Sequence, residues 1–303
     1  MRSAIFVIWS SLLCCASVSY AQEKSWEFAL SLNAYNSGYE EIIFDPSNGN
    51  HLDAQGNSFT ALAPRLAITY RARQDLRVPL FLTIEGTVPL VTLSGSEVEN
   101  ETTPDGRTGI AYKTNSQHDD LTGRALLGVE ILPFLQPYIA IERSKLTSRR
   151  TDQQDGNDQG GFTPLENSDY SEPVLSTHLG FGIQGTVPLN ENADIRIRYD
   201  LGYEVPQTVS VTNTLYDAPA WGQGSTGYTY GGRVQLDLPL RLFEDLANHN
   251  GYWTIGAALS KRHWNGDGRL GVATTNGIPD GSLLWPANTM IKAGGFIGLG
   301  LFF

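Results

Sequence analysis

Three clusters in the 303-residue chain combine side chains that hydrolysis or metal binding would need. His118-Asp119-Asp120 sets an imidazole next to two carboxylates, the types that general acid–base chemistry uses. It stands at the end of a long polar stretch, where an exposed loop cluster is the simpler reading. Ser176 and His178 lie two residues apart and so share one face of an extended strand, with Glu142 or Glu130 available to orient the imidazole. Asp152, Asp155, Asn157 and Asp158 offer oxygen ligands of the kind Ca²⁺ takes. They lack the Asp-x-Asp-x-Asp-Gly order and distal glutamate of a calcium loop, so they read as a solvated acidic loop. No cofactor and no resident metal is expected from these patterns.

What these groups can do depends on the elements that carry them, and those elements alternate. Over Met290 to Phe303, Ile297, Leu299, Leu301 and Phe303 fall on one parity, with Phe296, Gly298, Gly300 and Phe302 on the other. Period two over that length specifies a strand, and this one ends on an aromatic with no polar tail. Trp26, Phe28, Leu30 and Leu32 open a similar strand. Further strands are expected around 62–70, 78–84, 121–131, 138–142, 175–183, 195–203, 228–238 and 253–259. The clearest sets Ile195, Ile197, Tyr199, Leu201 and Tyr203 against Asp194, Arg196, Arg198, Asp200 and Glu204, one face apolar and the other ionic.

Connections between these segments alternate in length. Short turns are expected at Gln74-Asp75, 133–137 and 188–192, and a helical turn at 242–246. Long polar loops are expected over 36–57, 94–119, 147–172, 206–225 and 263–288. Aromatics stand near strand ends: Trp26, Tyr70, Tyr138, Tyr203, Tyr228, Trp253 and Phe303.

Composition narrows the class. A net charge of -11 disfavours nucleic acid as a partner. Charged residues make up 17%, below the roughly 25% usual for soluble domains. Residues 1–21 read as a cleaved signal peptide, with Arg2, an apolar run from Ile5 to Ala16 and a Ser19-Tyr20-Ala21 cleavage site. That run is shorter than the roughly 20 residues a spanning helix needs. Both cysteines, Cys14 and Cys15, fall inside it, so residues 22–303 hold no disulfide and form one β domain.

The fold expected is all-β: a transmembrane antiparallel up-and-down β-barrel of about ten strands, with eight or twelve as alternatives, short periplasmic turns and long extracellular loops. A soluble sandwich would alternate too. The signal peptide, the short/long rhythm and the terminal phenylalanine favour the barrel. In hydrocarbon a sheet must close on itself, so the first and last strands are expected to pair.

On its signal peptide and on Ile297, Leu299, Leu301 and Phe303, the chain resembles the Gram-negative outer-membrane β-barrel proteins at superfamily level. The resemblance implies an outer-membrane location and contact with outer-membrane lipid and lipopolysaccharide. It also makes the C-terminal strand the signal read by the barrel-assembly machinery. Acidic loop residues such as Glu97, Glu99, Glu101 and Asp105 would bind divalent cations.

With the apolar parity toward lipid, the lumen would receive Glu85, Arg124, Glu130, Glu142, His178, Asp194, Arg196, Arg198, Asp200, Arg233, Asp237, Arg262 and Lys292. A barrel so narrow and so charged would be either a plugged structural or surface-interaction barrel, or a narrow porin-like channel for ions and small polar solutes. The alternative is an extracellular-rim hydrolase of the omptin kind. Ten-stranded proteases of that kind pair an Asp-x-Asp element with a separate Asp-His element near the outer rim. His118, Asp119 and Asp120 stand in a suitable place, but no second element matches.

Overall fold

The computed structural model describes residues 26–44, 51–72, 79–93, 95–102, 108–156, 162–164, 169–190, 194–213, 218–220, 227–240, 250–265, 269–270, 283–284 and 287–303, and these are mostly extended chain. The strands are β1 (Trp26–Phe44), β2 (His51–Ala72), β3 (Leu80–Thr87), β4 (Val91–Thr92), β5 (Gly95–Thr102), β6 (Thr108–Val129), β7 (Gln136–Gly156) and β8 (Phe162–Pro164). They continue with β9 (Tyr170–Pro188), β10 (Arg196–Asn213), β11 (Ala218–Ala220), β12 (Gly227–Pro239), β13 (Gly251–Trp264), β14 (Arg269–Leu270), β15 (Leu283–Leu284) and β16 (Ala287–Phe302).

Ten staves make a closed wall: β1, β2, the interrupted stave β3–β4–β5, β6, β7, β9, β10, β12, β13 and β16, each antiparallel to its neighbours. The seam joins β1 to β16 from Glu27↔Phe302 to Ile42↔Ala287 without a register shift. Phe303 N donates to Trp26 O at 3.0 Å and Trp26 N to Phe303 O at 3.3 Å, which ties off the rim where both strand ends meet, here the lower rim. Glycines allow the close approach along this seam: a Cβ at Gly294 would lie 2.2 Å from Ala34 O, and one at Gly298 2.4 Å from Leu30 O.

The lower part of the wall turns its apolar parity outward. Ile139 is 64% and Ile297 60% exposed, while their neighbours Tyr138 and Phe296 are each 4% exposed. Trp26, Leu30, Leu66, Ile84, Phe181, Leu201 and Ile255 continue this outward belt around the barrel. Such a belt suits hydrocarbon, and the ladders behind it satisfy the backbone.

Several expectations need correction. The polar stretches read as long loops are largely strand: β1 runs on to Phe44, β2 starts at His51, β5 and β6 cover much of 94–119, β7 reaches Gly156 and β10 reaches Asn213. The physical reason is that the polarity of the two faces changes while their facing does not. In the upper part Asn36, Asn115 and Arg149 face outward and exposed, while Tyr39, Leu146 and Val174 are buried inside, so the apolar-out signal disappears although the ladder continues. Pro206 is carried within β10 by a register shift between Pro206 and Thr208. Tyr138 faces inward rather than into an aromatic girdle. The signal peptide, Gln74-Asp75 and the helical turn at 242–246 lie outside the described residues.

This facing makes a direct prediction. Leu201→Arg, on the belt, should destabilise the barrel by about 2–4 kcal/mol if it sits near the bilayer midplane, while Trp253→Arg near the lower rim should cost about 0–1 kcal/mol from its depth alone. Urea titrations of refolding in lipid vesicles measure both; equal penalties would contradict the depth assigned to Leu201.

Candidate functional site: a layered charged lumen

The inward parity of the lower wall places many charges inside a narrow cylinder, where each must find a partner because desolvation is costly. Most do so in layers. Nearest the lower rim, Glu27 accepts from Arg71 at 2.9 Å, from Arg198 and from the Tyr252 hydroxyl. Asp237 is paired with Arg196 at 3.1 Å and Arg198 at 2.6 Å. Arg196 and Arg198 lie over the Tyr252 ring with Cζ 5.1 and 4.3 Å from its centroid, favourable cation–π geometry.

The middle layer is centred on Arg124. Its Nε donates to Glu204 Oε1 at 2.7 Å, its Nη1 to Asp200 Oδ2 at 3.3 Å and its Nη2 to the Tyr138 hydroxyl at 3.0 Å. Tyr138 donates in turn to Asp200, and Arg65 is paired with Glu85. Phe81, Leu126, Tyr138 and Ala140 pack together beside these groups.

Above them, Arg262 joins Glu142 at 2.6 Å and Asp120 at 3.5 Å, and Lys292 also holds Asp120. His178 pairs with Ser176 Oγ at 2.8 Å, and Ser176 with Ser144 at 2.8 Å. The upper part of the lumen is then filled by Tyr39, Phe59, Leu146, Val174, Val209, Trp264 and Met290.

The expected lumen residues are therefore not all placed alike. Glu85, Arg124, Glu142, His178, Arg196, Arg198, Asp200, Arg233, Asp237, Arg262 and Lys292 lie on inward positions of the staves. Glu130 and Asp194 lie just outside β6 and β10, in lower-rim connections. Glu27, Arg65, Arg71, Asp120, Glu204 and Tyr252 were missed as lumen groups. Glu27, Arg65, Arg71 and Glu204 announce themselves by standing opposite the apolar parity of their own strands.

The catalytic candidates are positioned for packing. His118 is wholly buried on β6, with its ring centroid 4.4 Å from Tyr39 and 5.0 Å from Phe59, and Nδ1 paired with Ser148 Oγ at 2.8 Å. Asp120 is held by two cations, and Asp119 points the other way, 3.6 Å from Arg149. The exposed loop cluster expected here is thus corrected: it is a stretch of strand whose His118 and Asp120 face inward. Ser176 and His178 do share one face and pair with each other, while the Glu142 carboxylate accepts from Arg262. Asp152 and Asp155 stand in β7, where the Asp152 carboxylate accepts from Asn115 Nδ2 at 2.9 Å, and Asp158 lies outside the described residues.

Space remains in the middle of this lumen. Gly202, Gly231, Ala258 and Gly294 present little or no side chain on β10, β12, β13 and β16, and a cavity of about 260 Å³ opens beside them. A second cavity of about 100 Å³ lies against the lower ionic layer, and Arg65, Glu85, Asp200 and Arg233 line both.

No protein-family profile and no curated protein matches the chain. Its fold is similar to that of the outer membrane protease OmpT from Escherichia coli, with a TM-score of 0.64 at 10% identity over 93% of this chain and 98% of that one. The translocator domain of the autotransporter NalP from Neisseria meningitidis aligns at a TM-score of 0.38 and 10% identity, over 100% of this chain and 97% of that one. The P. putida toluene transporter TodX aligns at 0.33 and 9% identity, over 95% and 92%. The fold, a closed antiparallel barrel of ten staves, is thus similar to that of an outer-membrane barrel of known structure.

Breaking a buried charge network leaves uncompensated ions. Glu27→Gln, which strips a carboxylate from Arg71 and Arg198, should cost about 3–5 kcal/mol. Reversible unfolding in detergent–urea mixtures measures the loss, and a cost below about 1 kcal/mol would show that water already screens this layer.

Proposed function

We propose that the chain is an exported outer-membrane barrel, closed along its axis by its own side chains, that acts through its surface rather than as an open pore. The observation that supports this most directly is the stacking of Tyr39, Phe59, Leu146, Val174, Val209, Trp264 and Met290 across the upper lumen, above the matched ionic layers. An ion following the axis would meet a buried, largely apolar layer and then charges most of which are paired with each other. In this reading the lower rim is periplasmic, residues 1–21 direct export, and Ile297, Leu299, Leu301 and Phe303 carry the assembly signal. The rim-hydrolase alternative gains less support, because a buried His118 and a doubly paired Asp120 offer no group to an external substrate.

One stretch of the belt suggests a lipid partner. On β7 the outward apolar residues stop at Ile139 and Ile141, and the exposed Arg143 and Lys145 follow. Their cross-strand neighbours are Gly123 and Thr177 for Arg143, and the exposed Leu121 and Leu175 for Lys145. Two cations level with apolar neighbours suit the phosphates of outer-leaflet lipopolysaccharide. Acidic residues such as Glu97, Glu99 and Glu101, which lie on β5 rather than in a loop, would bind divalent cations that bridge the same lipid.

Planar bilayers test the closed lumen: repeated insertions of the wild type should give no stable unitary conductance, and a reproducible open level would overturn the reading. Replacing Arg143 and Lys145 together by Leu should at least halve the lipopolysaccharide that co-purifies per barrel, measured by phosphate content after delipidation-free extraction; an unchanged ratio would remove these residues from lipid contact.

A further inference from the structure

We propose that the lumen contains a binding site for a small monocarboxylate, built around Arg233. The other lumen cations of the layers described above each have a carboxylate within ion-pair distance: Arg65 has Glu85, Arg124 has Glu85, Asp200 and Glu204, and Arg262 and Lys292 share Asp120. Arg233 has none among the described residues. Its guanidinium donates only to neutral acceptors and at long range, Nε to Gln235 Oε1 at 3.2 Å, Nη2 to Ser31 Oγ at 3.3 Å and Nη1 to Asn33 Oδ1 at 3.5 Å. Its remaining support is the Phe296 ring, whose centroid lies 3.3 Å from Cζ.

Leaving a guanidinium out of bulk water without an anion is unfavourable, and the unfavourable part is recovered by whatever anion enters. Arg233 borders both internal cavities, and the larger one, about 260 Å³, has room for a small organic acid beside Asn33, Ala34 and Phe296. Chemistry selects the class of ligand. The planar fork of arginine matches the two oxygens of a carboxylate. Glu85 and Asp200 line the same cavity and would repel a second negative charge, so a monoanion is favoured over a dianion.

The site stands independently of whether the barrel is closed, since the ligand can be supplied while the barrel folds. The protein is refolded into detergent in sodium acetate, sodium succinate or sodium chloride at equal ionic strength, and the thermal midpoint is followed by β-sheet circular dichroism. Ligand bound only by the folded form raises the midpoint with concentration. Acetate should raise the wild-type midpoint in a saturable way, with succinate and chloride giving less than a third of that shift. Arg233→Gln should abolish the acetate effect, and Arg233→Lys, which keeps the charge but loses the fork, should weaken apparent affinity about tenfold. An acetate series indistinguishable from chloride in the wild type would overturn the site even if Arg233→Gln did not fold. Full acetate affinity in Arg233→Lys would overturn the role given to the guanidinium fork.

Discussion

Everything in this molecule depends on the seam between β1 and β16. A sheet with an apolar outer face has no water to satisfy an open edge, so each unpaired N–H and C=O along Trp26–Phe44 or Ala287–Phe302 would be costly in hydrocarbon. The sixteen-residue register from Glu27↔Phe302 to Ile42↔Ala287 removes both edges at once. Gly294 and Gly298 are part of that solution, since a side chain at either would collide with the β1 backbone. The C-terminal strand is thus where the cylinder closes as well as the last segment of sequence.

Closure then dictates what fills the inside. Ten staves leave a lumen too narrow for a wide aqueous channel and too wide to be spanned by small residues. Long arginines reach across it: Arg198 on β10 meets Glu27 on β1, Arg124 on β6 meets Glu204 on β10, and Arg262 on β13 meets Glu142 on β7. Buried ion pairs are weak sources of net stability because desolvation offsets their attraction, but losing one partner is expensive. Such pairs therefore act mainly by penalising wrong registers. A one-residue slip of any stave would carry its charges to the lipid side and leave their partners stranded.

The sequence revealed the lower half of this barrel and concealed the upper half. Below, Leu201 against Asp200 or Ile84 against Glu85 states both the strand and its facing, and ten such segments with alternating connections specify an up-and-down barrel. Above the belt the same staves continue, yet nothing there marks them as membrane strands: β6 carries His118 and Asp120 inward with Asp119 outward, both parities polar. Period-two reading fails when the two faces stop differing in polarity, although hydrogen bonding to β7 continues from Leu121↔Lys145 through His118↔Ser148. Partner choice was hidden for another reason. Parity shows that Arg233 and Arg124 face inward, but only their positions around the cylinder show that one has carboxylates in reach and the other has neutral groups.

The change of polarity along the staves also bears on where this protein meets its surroundings. A tilted strand needs about 9–11 residues to cross the hydrocarbon core, whereas β2 and β6 each have 22. Above the belt the wall follows the rule of a water-soluble barrel, polar outside and packed inside around Trp264, Met290 and Leu146. That core is what favours closure of the upper staves, since a polar or empty interior there would gain little from staying closed. Strand residues such as Asn115 and Arg149 face outward there, with their spacing fixed by the ladder. The packing that fills the upper lumen also holds the outer face of these staves in place, so a substitution that loosened the inner contacts would loosen that face as well.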